Sequence, residues 1–314
     1  MDAPLPTIID CDPGQDDALM LFLALNAPEL DIRGISAVGG NVHLAKTARN
    51  LAMLVEIAGR GDIPLYAGCS GPMVRRLVTA EYVHGETGIN GLDVFEPEIQ
   101  LQEKHGVDFL VDTLRAAADN EITLVPTGPL TNIAMALNMA PDIAPKIKQI
   151  VLMGGAMREG GNTTPSAEFN IYVDPHAADV VMRCGRPIVM FGLDVTHKVM
   201  TTPERIATIR ALGNRVASVS ADMLDFFGMH DAEKYGSKGG PLHDPCTIAW
   251  LLEPEMFALK SCHVEIETKS ELTMGHTAVD YWGVTGKPEN ALWAHDVDDE
   301  RFFALLSERL ANYS

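Results

Sequence analysis

The sequence predicts an α/β protein built on an open, mostly parallel, Rossmann-like sheet, with helices on both faces and additional C-terminal helices and strands. Three observations predict it. Short β-branched apolar runs alternate with amphipathic helical ones over the first two thirds of the chain, which is the order that parallel strands joined by crossover helices require. Glycine and polar clusters follow the strand-like runs, where open α/β sheets bind ligands. With 314 residues, 46% hydrophobic and 21% charged, the chain can bury a large core and carries no sign of disorder.

In chain order, Thr7 to Ile9 reads as a strand and Ala18 to Ala27 as its helix. Ile32 to Val38 and Leu44 to Ala58 repeat the unit, then Ile122 to Val125 with Leu130 to Met139, and Ile150 to Met153 with Asp174 to Cys184. Ile188 to Phe191 is the last strand of this alternation. Beyond Asp194 the pattern turns helical at Pro203 to Leu212, Val216 to Gly228 and Asp244 to Leu252. Strand-like runs return at Cys262 to Glu267, Thr277 to Trp282 and Ala291 to Val297, and Asp298 to Leu310 reads as a closing helix. No internal repeat, low-complexity tract or long linker divides the chain, so one domain over residues 1–314 is expected, with Gly236 to Pro241 as a mobile loop.

A net charge of −19 argues against a nucleic-acid backbone or an anionic membrane as partner, because both need basic patches. The expected partner is a small molecule that is not strongly anionic. Five cysteines (Cys11, Cys69, Cys184, Cys246, Cys262), odd in number and without a CxxC pair, fit free packing thiols in a reducing compartment. Met1 to Pro6 lacks the basic start of a signal peptide, and Ala18 to Leu25 is too short to span a bilayer. The expectation is a cytoplasmic protein.

The most informative segment is Asp10-Cys11-Asp12-Pro13-Gly14-Gln15-Asp16-Asp17, which gathers four carboxylates at the first strand-to-helix junction. Two carboxylates about 5 Å apart repel by roughly 3 kcal/mol at an effective dielectric near 20. A hard cation relieves that repulsion most directly. Helix capping by Asp16 or Asp17 accounts for one aspartate and leaves the others unexplained. Gly39-Gly40-Asn41, Thr127-Gly128-Pro129 and Gly154-Gly155 fall after later strands, so one crevice can collect all of them.

These segments, with His84-Gly85-Glu86, Val125 to Asn132, Glu168 to Pro175 and His243-Asp244-Pro245, resemble the inosine-uridine nucleoside hydrolase family over most of the chain. The resemblance implies hydrolysis of the bond between ribose C1′ and the base. It implies Ca²⁺ held by Asp12, Asp17, the backbone carbonyl of Thr127 and Asp244, with Asp10 as a supporting carboxylate. An all-oxygen set rich in carboxylates suits Ca²⁺ better than Mg²⁺ or Zn²⁺. Asp16 would be the general base that takes a proton from water, and Asn41, Asn162, Glu168 and Asn170 would hold the ribose hydroxyls. His243 and His84 would assist departure of the base, His84 from a loop after the third strand.

The stretch from Leu224 to Trp250 and Gly275 to Tyr281 are similar to the pyrimidine-preferring branch of the family. Phe227, His230 and Tyr235 would line the base pocket and Phe226 the core. Purine-preferring or broad specificity is the alternative. Two rivals lie outside the family: a haloacid-dehalogenase-like phosphatase, which also begins with Asp-x-Asp but lacks Pro13-Gly14 and the added Asp16-Asp17, and a nucleoside-binding protein without turnover. Relatives commonly form dimers or tetramers, so a homo-oligomer is expected by analogy.

Overall fold

The computed structural model describes residues 3–235 and 239–314, and of residues 229–235 the backbone alone. The first two thirds follow strand-helix order: β1 (Leu5–Cys11), α1 (Gln15–Leu25), β2 (Leu30–Ala37), α2 (Leu44–Ile57), β3 (Leu65–Ala67), α3 (Glu81–His84), α4 (Gly106–Ala116), β4 (Ile122–Pro126), α5 (Thr131–Met139), β5 (Ile147–Met153), α6 (Phe169–Val173), α7 (Pro175–Met182) and β6 (Ile188–Phe191). There follow α8 (Leu193–Thr196), β7 (Met200–Thr201), α9 (Pro203–Arg210), α10 (Arg215–Tyr235), β8 (Gly240–Pro241), α11 (Pro245–Leu252), β9 (Phe257–Ile266), β10 (Thr277–Asp280), β11 (Ala291–Val297) and α12 (Asp299–Ala311).

Nine strands form one sheet in the order β10-β9-β11-β6-β5-β4-β1-β2-β3. All pairings from β11 to β3 are parallel, whereas β9 runs antiparallel to both β10 and β11. The order β3-β2-β1 on one side and β4-β5-β6 on the other reverses between β1 and β4, which opens a crevice beyond their carboxyl ends. That crevice lies over the acidic segment and over Thr127-Gly128-Pro129.

Every residue of α1 is buried, and the unbroken apolar run Ala18 to Leu25 that follows its acidic first turn suits a helix enclosed on all sides. It packs against α2, α10, α11 and α12, in a core layer that includes Leu19, Phe22, Leu51 and Leu306. The opposite face of the sheet carries α4, α5 and α7 around Leu110, Ile133, Val181 and Trp293. All five cysteines are unpaired thiols.

The structure adds elements that periodicity does not reveal. α4 is capped by the His105 ring, which accepts from Val107 N–H, rather than by one of the usual Ser, Thr, Asp or Asn caps. His84 ends the four-residue α3 rather than lying in a loop. β9 begins at Phe257, five residues before the expected start, and α10 continues to Tyr235. Gly240–Pro241 pairs with β7 as a short strand, and residues 236–238 of the expected loop lie outside the described residues. Phe226 is half-buried, whereas Phe227 is buried. Among the described residues, no helix is long and apolar enough to cross a membrane.

Candidate active site

β1 delivers Asp10 and Asp12 to the crevice, the Pro13-Gly14 turn reverses the chain, and the first turn of α1 presents Asp16 and Asp17. Asp244, which immediately precedes α11, comes in from the far end of the sequence. Carboxylate oxygens of Asp16, Asp17 and Asp244 all lie within 4.8 Å of one another. Asp17 also serves its own helix, accepting Gly14 N–H at 2.9 Å through Oδ2, while its Oδ1 accepts the Thr127 hydroxyl at 3.0 Å.

Asp12 falls beside this trio rather than within it, because Asn41 N–H holds its Oδ2 at 2.7 Å. Its Oδ1 is buried with no hydrogen-bond partner among the described residues. Glycines make room for that side chain: a Cβ on Gly128 would stand 2.5 Å from Asp12 Oδ1, and one on Gly40 would overlap Oδ2. Asp10 sits behind, accepting the Asn132 amide at 2.7 Å and the Ser36 hydroxyl through Oδ1. The carbonyl of Thr127, expected as an ion ligand, accepts Asn170 Nδ2 at 2.7 Å and keeps a second lone pair.

Burial is the main force on these groups. It pushes Asp10 up to about 7, against the lowering effect of Asn132 and Ser36. Burial and then the charge of Asp17 push Asp16 up to about 8, and burial takes Asp17 to about 6. Asp12 and Asp244 rise well above the usual carboxylate range, by burial first and then by the neighbouring aspartates. No Lys or Arg is among the described residues that line the cavity above them. Five crowded carboxyls, two of them with an orphaned buried oxygen (Asp10 Oδ2 and Asp12 Oδ1), and no cationic side chain make a donor set that fits a hard divalent cation.

The cavity measures about 460 Å³, within the range of small-ligand sites. Asp16, Asn41, Thr127, Met153, Asn162, Glu168, Asn170 and Asp244 line it together with His84, Phe227 and His243. Asn41 Nδ2 donates to the Asp12 carbonyl at 3.0 Å, and Asn162 Oδ1 accepts Phe169 N–H at 3.0 Å. Glu168 caps α6, accepting N–H groups from Asn170, Ile171 and Gly155.

Residues 7–304 fit the model of the inosine-uridine preferring nucleoside hydrolases. The chain belongs to that family. It is 50% identical over 309 residues to a pyrimidine-specific ribonucleoside hydrolase of Photobacterium profundum, covering 98% of this chain and 99% of the relative. Among solved structures, a plant nucleoside hydrolase superposes with TM-score 0.91 at 32% identity, covering 98% of this chain and 99% of the other. A purine-preferring ribonucleoside hydrolase from Gardnerella vaginalis gives TM-score 0.91 at 31% identity, covering 98% of each chain. This chain is accordingly an enzyme, a ribonucleoside N-glycosidase.

In this nucleoside hydrolase the cavity wall around His243 holds more than the sequence suggested. His243 is tied through Nδ1 to the Thr196 hydroxyl at 2.7 Å, and its ring lies 5.7 Å from that of His197. Burial first, and then the neighbouring His197 and His84, hold His243 well below the usual imidazole range. His197 in turn meets Glu159 at 3.3 Å, and both line the cavity. Neither was read from the sequence, although His197 follows β6 at its carboxyl end, the same positional signal that marked the other loops. His84 stacks on Phe227 at 5.9 Å between ring centroids. The side chains of His230 and Tyr235 lie outside the described residues.

Proposed function

We propose that this nucleoside hydrolase is calcium-dependent and prefers pyrimidine ribonucleosides, converting cytidine and uridine to ribose and free base. The observation that carries the chemistry is the trio Asp16, Asp17 and Asp244 at the floor of a cavity walled by polar side chains and histidines. Asp12, Asp17 and Asp244, with the Thr127 carbonyl, would hold Ca²⁺. Bound there, the ion supplies the positive charge that keeps these carboxyls ionised near neutral pH and makes a neighbouring water a better acid.

Asp16 then takes a proton from the water that attacks C1′. The new C1′–O bond forms as the C1′–N bond breaks, and the electron pair leaves with the base. The departing nitrogen is protonated or hydrogen-bonded on the side where His84 and His243 line the cavity. Asn41, Asn162, Glu168 and Asn170, which line the same cavity, hold the ribose hydroxyls. Glu168 keeps its orientation because three backbone N–H groups fix its carboxylate.

The pyrimidine preference is supported by 50% identity to a relative named pyrimidine-specific, against 31% to one titled purine-preferring. A reducing-sugar assay across cytidine, uridine, inosine, adenosine and their 2′-deoxy forms tests it. Both pyrimidine ribonucleosides should exceed inosine in kcat/KM, and the 2′-deoxy forms should react poorly because ribose-binding groups are left unpaired. Inosine turnover equal to that of both pyrimidines would overturn the preference and leave the hydrolase assignment standing.

A further inference from the structure

Gln15 lies inside the acidic segment between the carboxylates, and neither the ion site nor the ribose contacts account for it. It is fully buried. Its amide nitrogen donates to two backbone carbonyls of the segment that carries His84, those of His84 at 3.2 Å and Asn90 at 3.0 Å. Carbonyl oxygens only accept, so the amide can be oriented in one way alone, with Nε2 toward them. Oε1 is left facing His84 Nδ1 at 2.6 Å. An amide oxygen also only accepts, and therefore Nδ1 must carry a proton.

The seat of the ring supports the same assignment. A Cβ on Gly14 would stand 2.6 Å from His84 Nδ1 and 2.8 Å from Cε1, so the ring edge rests directly on the backbone at the start of α1. Phe227 stacks against the ring, and the segment beyond it is tied back by Asn50 Nδ2, which donates to the carbonyls of Pro13 and Thr87. Rotation of the imidazole is thus blocked from several sides.

We propose that Gln15 is a positioning residue for the reaction, fixing His84 as the Nδ1–H tautomer so that the ring takes up and releases its exchangeable proton at Nε2 alone. This rests on the reading of His84 as a residue that acts on the departing base. One segment then serves both ends of the scissile bond. Asp16 faces the ribose side, while its neighbour Gln15 sets the protonation geometry on the base side, and the α1 backbone holds the two in register.

The test uses the intact enzyme with histidine-selective ¹⁵N labelling, His84→Ala identifying the His84 signals among ten histidines. Long-range ¹H–¹⁵N spectra of the wild type should show the proton on Nδ1 of His84. Gln15→Met keeps the shape and removes the acceptor, so the tautomer should become mixed and kcat should fall about tenfold or more with little change in KM. Gln15→Glu keeps an acceptor for Nδ1 but cannot donate to the two carbonyls. It should retain the Nδ1–H form, which separates the tautomer from the loop clamp.

Placed in a His84→Ala background, Gln15→Met should have no further effect on kcat if it acts through the ring. A wild-type ring protonated on Nε2, or equal losses from Gln15→Met with and without His84, would overturn the proposal. A His84→Ala enzyme with unchanged kcat would instead remove the assigned role of His84, whatever tautomer the wild type shows.

Discussion

Removal of the proposed cation should make the stability of this protein fall as pH rises, and the structure sets the scale. At a separation of 4.8 Å and an effective dielectric near 20, each ionised pair among Asp16, Asp17 and Asp244 repels by about 3.5 kcal/mol. Three pairs approach about 10 kcal/mol, comparable to the whole stability of an ordinary domain. The ion-free cluster therefore binds protons instead. Asp16, with an ordinary value of 3.8, is pushed up to about 8, and Asp17 to about 6.

Folded-state values above the unfolded ones mean that the stabilisation is fully present below about pH 4 and is lost as pH rises toward 8. Between pH 5 and pH 8 Asp16 contributes over about three pH units and Asp17 over about one, at about 1.4 kcal/mol each, or roughly 5 kcal/mol in all. A bound divalent cation reverses the preference by favouring the ionised forms. The gap in Tm between calcium-loaded and chelated protein should therefore be small near pH 5 and widen to on the order of 5–10 °C at pH 8. Scanning calorimetry at matched ionic strength reads it. A gap that is the same at both pH values, or no gap at pH 8, would refute the assignment of the ion to these carboxylates.

Three further outcomes follow from the same geometry. Asp16→Asn should fold normally and bind substrate, with kcat lower by about 10² or more in steady-state assays; a change within a few-fold would mean that another group is the base. Asp244→Ala should lose bound calcium and turnover together, checked by elemental analysis of the purified protein; full activity without metal would contradict the reading. Gly40→Ala places a methyl group on Asp12 Oδ2, so calcium affinity measured by titration calorimetry should drop at least tenfold, whereas Gly59→Ala, where a Cβ meets nothing within 4 Å, should leave it unchanged.

Legibility in the sequence tracked how local the deciding forces were. β6 and β11 were readable to the residue, because each is an apolar run bounded by polar or turn-forming residues. β3 and α3, three and four residues long, are too short to show any period. The acidic segment announced a charge problem by itself, since four carboxylates in eight residues need a common solution. Gln15 made no such announcement: its meaning comes from His84 and Asn90, 69 and 75 positions away, and an isolated glutamine carries no chemistry. Glu159 and His197 were missed for the same reason. Asp12 was placed among the ion ligands by its motif, yet the Asn41 amide decides where its carboxylate points.

The complete burial of α1 bears on how such an enzyme can change. Its first turn brings Asp16 to the cavity and its remaining length is interior packing, so almost any substitution there disturbs the cavity and the hydrophobic interior at once. Glu159, which is exposed, and His197, which is half-buried, belong to the rim and carry little of that double burden. Inherited variation can therefore accumulate on the rim while the floor is held fixed. New base specificities would arise by remodelling what surrounds the nucleobase, with the machinery that breaks the glycosidic bond passed on unaltered.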